Sequence, residues 1–195
     1  MRASFRNDTL VASALLLATL LVAAQIAAQL VDFGVFDLRV AWLNSNHHAS
    51  LFGIASLLAQ GAAAATAALR SAVPPRRAAW AAGAVLIAAL LVLRLAVTYG
   101  TAPLILPVTL TFVLLWWLSG SEPARARSVL RAGLCLLVFS FVVHAVGPSL
   151  VSALGGGGWA YQLKGVLKHS AELGGWMLVA TGVAAACRQA SPWAG

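Results

Sequence analysis

Six long apolar stretches separated by short polar segments constrain this chain more than any other feature. They cover roughly residues 10–30, 49–69, 78–97, 102–118, 129–150 and 165–187. A helix needs about 20 consecutive apolar residues to cross the hydrocarbon core of a bilayer. The sequence therefore predicts an all-α integral membrane protein, with about six transmembrane helices bundled in a single polytopic domain over residues 1–195.

Composition supports a membrane location and argues against a nucleic-acid partner. Mean hydropathy is +0.89, and 61% of the residues are hydrophobic, against roughly 45–50% in soluble domains. The net charge of +8 comes from cations in short loops, not from one continuous basic surface. No nucleotide-binding loop is expected, because the glycine tract at 155–158 is not followed by Lys-Ser or Lys-Thr. The expected partner is the lipid bilayer.

The first and fourth stretches need separate interpretation. Arg2 and Arg6 before an apolar run resemble a signal peptide, but the run is longer than the usual 7–15 residues. We interpret it as a retained first span. The fourth stretch is the shortest and has Pro103 and Pro107 near its start. It could begin earlier, near Thr98, or re-enter without crossing, in which case the C-terminus would change sides.

The distribution of cations predicts the orientation. Nine of the 13 Lys and Arg residues lie before the first span, between spans two and three, between four and five, or after the sixth. With six spans these segments share one side, and the positive-inside rule places that side, with both termini, in the cytoplasm. A bias towards Ala, Leu and Arg is typical of bacteria with GC-rich genomes, so we expect a multi-pass protein of the bacterial plasma (inner) membrane.

Polar side chains form a predicted layer near the outer ends of the spans, whereas the inner halves are almost purely apolar. Ionisable groups at membrane depth are costly and need a partner or a function. His169 and Glu172 are three residues apart and share a helix face, as do Gln25, Gln29 and Asp32. The predicted outer polar pocket consists of Asp32, His48, Arg94, His144, His169 and Glu172.

Each member of this layer also has a purely structural interpretation. Arg94 could reach the headgroups or pair with Glu172, for which Lys168 is an alternative partner. His144 could be a hydrogen-bonded core histidine, and His48 could belong to the start of the second span, with Asn46 as its N-cap. Gln25 and Gln29 are typical of hydrogen-bonded contacts between membrane helices. Glu122, by contrast, is expected in a cytoplasmic loop, where its replacement should matter little.

Chemical motifs leave two functional classes open. The candidate metal ligands are His48, His144, His169 and Glu172, and haem or zinc is allowed, but no HExxH, HxxxH or CxxC motif supports either. Ser140 and His144 are one turn apart without a third catalytic member. The sequence favours a non-enzymatic protein that transports, or binds as an accessory, a small solute, proton or lipid headgroup. The alternative is a membrane haem- or metal-binding protein.

Small residues predict how the helices pack. Membrane helices approach closely where Gly, Ala or Ser lies at the contact, since little hydrophobic force acts between them. We expect a close crossing at Gly174-Gly175, just before Trp176, with Gly133 among the other contact residues. Glycine-lined faces could also hold a partner membrane subunit or a second copy of the chain.

Overall fold

A computed structural model describes residues 2–37, 40–44, 50–96, 102–156 and 158–190, and this part of the chain is all-helical without strands. Six helices follow one another: α1 Arg2–Gly34, α2 Leu51–Ser71, α3 Arg77–Ala96, α4 Ala102–Ser119, α5 Ala124–Ala153 and α6 Gly158–Ala190. The predicted all-α architecture of six helices is confirmed.

Five of the helices are long and apolar enough to cross a membrane, as expected of a multi-pass membrane protein. The exception is α4, whose 18 residues extend about 27 Å at 1.5 Å per residue, close to the roughly 30 Å of a hydrocarbon core. Its apolar part, Leu104–Ser119, is shorter still. The fourth stretch is thus the shortest helix in the structure as well as in the sequence.

Several helices extend beyond the apolar stretches that predicted them. Helix α5 begins at Ala124 rather than near residue 129, and α6 begins at Gly158 rather than near residue 165. Hydropathy marks where a chain is apolar, whereas a helix continues until its hydrogen bonding is interrupted. The α5–α6 connection is consequently a tight turn in which Gly155 and Gly156 have φ of +88° and +68°, a conformation that favours glycine.

The start of α2 also differs from the prediction. Its N-cap is Ser50, whose Oγ accepts a hydrogen bond from the backbone N–H of Gly53 at 3.0 Å. The prediction of Asn46 as the N-cap is therefore wrong, because the hydroxyl next to the first helical residue serves this role. Asn46 and the neighbouring His47 and His48 lie outside the described residues.

Helix α6 is the centre of the bundle. It packs against α1, α2 and α5, while α3 joins α2 to α4 and α4 leads on to α5. In its most apolar window 67% of the residues are buried, against 17–28% in the other four candidate spans. The main core lies among α2 to α6 and consists of Ala63, Ala67, Trp80, Ile87, Leu90, Leu115, Leu118, Leu130, Leu134, Trp176, Val179 and Val183.

Glycines permit the close approach of α5 and α6. A Cβ on Gly133 would lie 2.8 Å from both the carbonyl oxygen of Gly175 and the backbone nitrogen of Val179. A Cβ on Gly182 would similarly lie 2.8 Å from the backbone nitrogen of Leu130. The expected close crossing at Gly174-Gly175 is confirmed for Gly175, and it requires that these positions carry no side chain.

Replacing Gly133 with Ala should lower the free energy of unfolding by about 1–3 kcal/mol, because the new methyl group would meet backbone atoms that cannot move aside. Gly61→Ala is the matched control, since a Cβ there meets nothing within 4 Å and alanine favours the helix. Thermal unfolding in detergent measures both. Equal stability of the two variants would contradict the close crossing.

Candidate functional site

An ion pair between α3 and α6 organises the predicted outer layer. Arg94 Nη1 lies 2.8 Å from Glu172 Oε1 and also donates a 3.1 Å hydrogen bond to Ser56 Oγ of α2. On the same face of α6, His169 Nδ1 lies 3.6 Å from Glu172 Oε2. Three of the six predicted site residues are therefore brought together, and Arg94 has the carboxylate partner that its structural interpretation required.

Local sequence explains this arrangement. Helices α2 and α3 are antiparallel neighbours, so Ser56 near the start of α2 lies beside Arg94 in the last turn of α3. A cation in a last helical turn also interacts favourably with the helix dipole. The three-residue spacing of His169 and Glu172 turns both side chains towards this end of α3.

His144 of α5 lies beside the same turn of α6. Ser140 Oγ donates a 2.9 Å hydrogen bond to the carbonyl oxygen of Lys168, which places the two helices in contact one turn from His144. The imidazole is within the electrostatic influence of Lys164, Lys168 and Glu172. Its Nδ1 is buried without a hydrogen-bond partner among the described residues. Because Ser140 binds a backbone carbonyl, the structure lends no support to a Ser140–His144 nucleophile.

We use the name outer cluster for Ser56, Arg94, His144, Lys164, Lys168, His169 and Glu172. The side chains of Arg94, His169 and Glu172 are 26%, 20% and 16% exposed. The cluster is thus half-buried rather than sealed.

Asp32 makes different contacts from those of the cluster. Its buried Oδ1 accepts a 3.0 Å hydrogen bond from the backbone N–H of Val40, which ties the segment after α1 to the end of that helix. One turn earlier, Gln29 Nε2 donates to Gln162 Oε1 of α6, as expected of an amide that joins membrane helices. Gln25, Gln29 and Asp32 are all fully buried, so their predicted common face is confirmed.

The structure gives little support to a metal site formed by the candidate ligands. Within the described ranges, no group of three or more His, Cys, Asp or Glu side chains is placed to hold a metal ion. Of the four candidate ligands, His169 and Glu172 contact each other, and His48 lies outside the described residues.

A second buried ion pair lies at the opposite end of the bundle, where the sequence predicts apolar helix halves joined by polar loops. Arg70 Nη2 of α2 lies 2.9 Å from Glu122 Oε1, and the two side chains are 2% and 1% exposed. Trp80 Nε1 of α3 donates to the same oxygen at 3.2 Å. Glu122 lies in the α4–α5 turn, as predicted, but this short turn folds its carboxylate back into the bundle. The expectation that its replacement should matter little is therefore revised.

A signal for this pair was present in the sequence. The chain has two glutamates, and Glu122 stands among cation-rich segments with no other acidic residue nearby. Arg70 ends an otherwise apolar helix. A single carboxylate with arginines on both sides of it in the sequence is expected to form an ion pair with one of them. The depth of that ion pair in the bundle could not be deduced from the sequence.

An apolar layer separates the two ion pairs. Ser56 and Arg70 are 14 residues apart on α2, which corresponds to about 21 Å along the helix. The main core fills much of the interval, and the described residues that pack there are mostly aliphatic. This packing favours a closed bundle over a continuous aqueous pore.

Replacing Glu122 with Gln should lower the free energy of unfolding by about 3 kcal/mol or more, because Arg70 would remain buried without a counter-charge. Glu172→Gln should cost less, since Arg94 is partly exposed. Asp37→Asn, at an exposed turn, is the control and should be close to neutral. Thermal unfolding ranks the three variants.

The combination of Arg70→Met with Glu122→Gln should restore part of that loss, because it removes both charges and leaves an amide oxygen for the Trp80 indole. A double variant as unstable as the sum of its single changes would argue against the pair.

No protein-family model, curated protein or solved structure shows significant similarity to this chain. The function must therefore be argued from the side chains that the fold brings together. The outer cluster is a half-buried polar group among the described residues that includes four of the six predicted site residues, and it is the candidate functional site.

Proposed function

We propose that this chain is a multi-pass protein of the bacterial plasma membrane, with both termini in the cytoplasm, whose outer cluster binds a small anionic group. The ligand would be an anionic solute or the phosphate of a lipid headgroup. The protein would act as a small carrier or as an accessory binding protein.

The charge balance of the outer cluster carries this proposal. Arg94, Lys164 and Lys168 contribute three cations, whereas Glu172 contributes one carboxylate that is already in contact with Arg94. The Lys168 side chain is partly buried, and within the described part of the chain its ammonium has no hydrogen bond or ion pair; the 2.9 Å bond from Ser140 is to its backbone carbonyl. A cation at this depth is costly without a counter-charge, and a bound anion would supply one.

The donor types in the cluster suit an anion. Guanidinium and ammonium groups form short charge-assisted hydrogen bonds to phosphate and carboxylate oxygens. The Lys164 stem packs on Gly147 of α5, and its ammonium lies 5.5 Å from the centre of the Tyr161 ring. Lys164 and Lys168 are one helical turn apart and so project to the same side of α6.

The apolar core between the outer cluster and the opposite end of the bundle limits how the protein can act on a bound ligand. Because that layer offers little polar path across the bundle, we infer binding, or carriage through a rearrangement of helices, rather than conduction through an open channel. The predicted proton ligand is less well supported than an anion, because Glu172 is held by Arg94.

Anion binding can be measured by thermal unfolding of the full chain in non-ionic detergent. Inorganic phosphate and short-chain phosphatidylglycerol, each compared with chloride at equal ionic strength, separate a free anion from a headgroup. A ligand that binds the folded state at a hundred times its Kd stabilises it by about 2.7 kcal/mol. We expect one of the two probes to stabilise the wild type and Lys168→Gln to reduce this stabilisation.

Arg77→Gln is the control for that experiment, because it removes one cation from an exposed position at the opposite end of the bundle. It should keep the full anion response. Failure of both probes to stabilise the wild type, or equal losses in the two variants, would refute anion binding at the outer cluster.

The orientation follows from charge bias and is tested separately. In a background with both native cysteines, Cys135 and Cys187, replaced by alanine, Ser152→Cys and Ala72→Cys place single thiols at exposed positions at opposite ends of the bundle, at the end of α5 and just after α2. An impermeant maleimide applied to intact cells should label the first variant and spare the second. Labelling of both from outside, or the reverse pattern, would contradict the proposed topology.

A further inference from the structure

Four arginines, which belong to α2, the α2–α3 turn and α5, contact the end of α4 and the turn that follows it. Arg70 pairs with the Glu122 carboxylate at 2.9 Å. Arg76 Nη1 donates to the carbonyl oxygen of Trp117 at 3.4 Å, and Arg131 Nε donates to Ser119 Oγ at 2.9 Å. Arg127 Nε and Nη2 donate to the Glu122 carbonyl oxygen at 3.3 and 3.0 Å. Four guanidinium groups thus surround residues 116–122, which contain a single carboxylate.

Two of these arginines also stack on tryptophans at the surface. The guanidinium of Arg76 lies 4.1 Å from the ring centre of Trp117, and that of Arg131 lies 4.7 Å from the ring centre of Trp116. Both indoles are exposed, at 53% and 37%. Tryptophan at such a position is typical of the boundary between the hydrocarbon and the headgroups. The stacking therefore holds the two guanidinium groups at headgroup level.

The contacts leave donors available on these two arginines. Arg76 uses Nη1 and Arg131 uses Nε in the bonds described above, and a guanidinium has five N–H donors in a fork that matches phosphate oxygens. Glu122, the one acidic side chain nearby, is fully buried against Arg70 and Trp80. It cannot also neutralise Arg76 and Arg131.

We propose that Arg76 and Arg131, with Trp116 and Trp117, form a binding site for the phosphodiester of an anionic phospholipid at the inner end of the bundle. We call these four residues the inner collar. The phosphate would lie against the last turn of α4 between the two guanidinium groups, and the indoles would contact the glycerol and upper acyl chains. Basic side chains at this membrane level attract anionic headgroups. This site is separate from the outer cluster and does not rest on its proposed function.

The test compares lipid preference in the full chain. Bilayers of phosphatidylcholine are titrated with phosphatidylglycerol carrying brominated acyl chains, which quench nearby tryptophans, and the relative binding constant of the two lipids is measured. We expect the wild type to prefer phosphatidylglycerol by about tenfold. The double variant Arg76→Gln with Arg131→Gln should lose most of this preference.

Two control variants identify the site. Arg77→Gln with Arg188→Gln removes the same number of charges from exposed positions at this end and should keep the preference. Lys168→Gln changes the outer cluster and should keep the part of the preference that depends on Arg76 and Arg131. Arg76→Lys with Arg131→Lys retains charge without the planar fork, so it should show an intermediate preference.

Several results would overturn the proposal. A wild type without preference for phosphatidylglycerol refutes it, whether or not the variants fold. An equal loss in the Arg77 and Arg188 control means a non-specific response to net charge. A loss in Lys168→Gln alone assigns the lipid to the outer cluster, and competition by inorganic phosphate at equal ionic strength assigns the inner collar to a free anion.

Discussion

The cost of placing charge in a low-dielectric bundle is the constraint on which this structure depends. Both glutamates of the chain are held by arginines from other helices, Glu172 by Arg94 and Glu122 by Arg70. The first pair joins α6 to α3, and the second joins the α4–α5 turn to α2. Breaking such a pair strands a buried charge, so the two contacts limit how the five helices α2 to α6 can rearrange relative to one another.

Close packing of α6 makes these contacts possible. Gly133 and Gly182 allow the backbones of α5 and α6 to come into direct contact. Helix α6 also packs against α1 and α2. Lys164, Lys168, His169 and Glu172 therefore occupy the most enclosed helix of the bundle. The segment 164–172 of α6 carries two lysines and one glutamate, and with Arg94 beside it the cluster has more cations than carboxylates. This imbalance underlies the proposed anion site.

The sequence predicted the parts of the fold that depend on position along a helix. Hydropathy located all six helices, and counting residues from the span ends placed Arg94, His144 and Glu172 at similar depth, because every helix rises by 1.5 Å per residue. The depth of a residue in the membrane does not determine the direction in which its side chain points around the helix axis. For that reason Asp32, predicted in the same layer, instead binds the backbone of Val40.

Helix ends and turns were the parts that sequence patterns described poorly. Glu122 follows a Ser-Gly-Ser segment that is typical of a solvated turn, yet the turn is short enough to return its carboxylate to Arg70 and Trp80. The N-cap of α2 was misplaced because the segment before Ser50 offers several residues able to cap. Arginine stacking at the end of α4 could not be deduced from the sequence, because a cation in a loop indicates orientation but not which side chain it contacts.

Infrared spectroscopy of the protein labelled with ¹³C at the glutamate side-chain carboxyl tests the ion pairs most directly. The chain has two glutamates, so the label reports on Glu122 and Glu172 and on nothing else that carries a carboxyl group. The account predicts that the label shifts carboxylate bands at neutral pH, with one component lost in each Glu→Gln variant. A label-sensitive band of a protonated carboxylic acid would show that at least one glutamate is neutral and would contradict the paired-charge architecture.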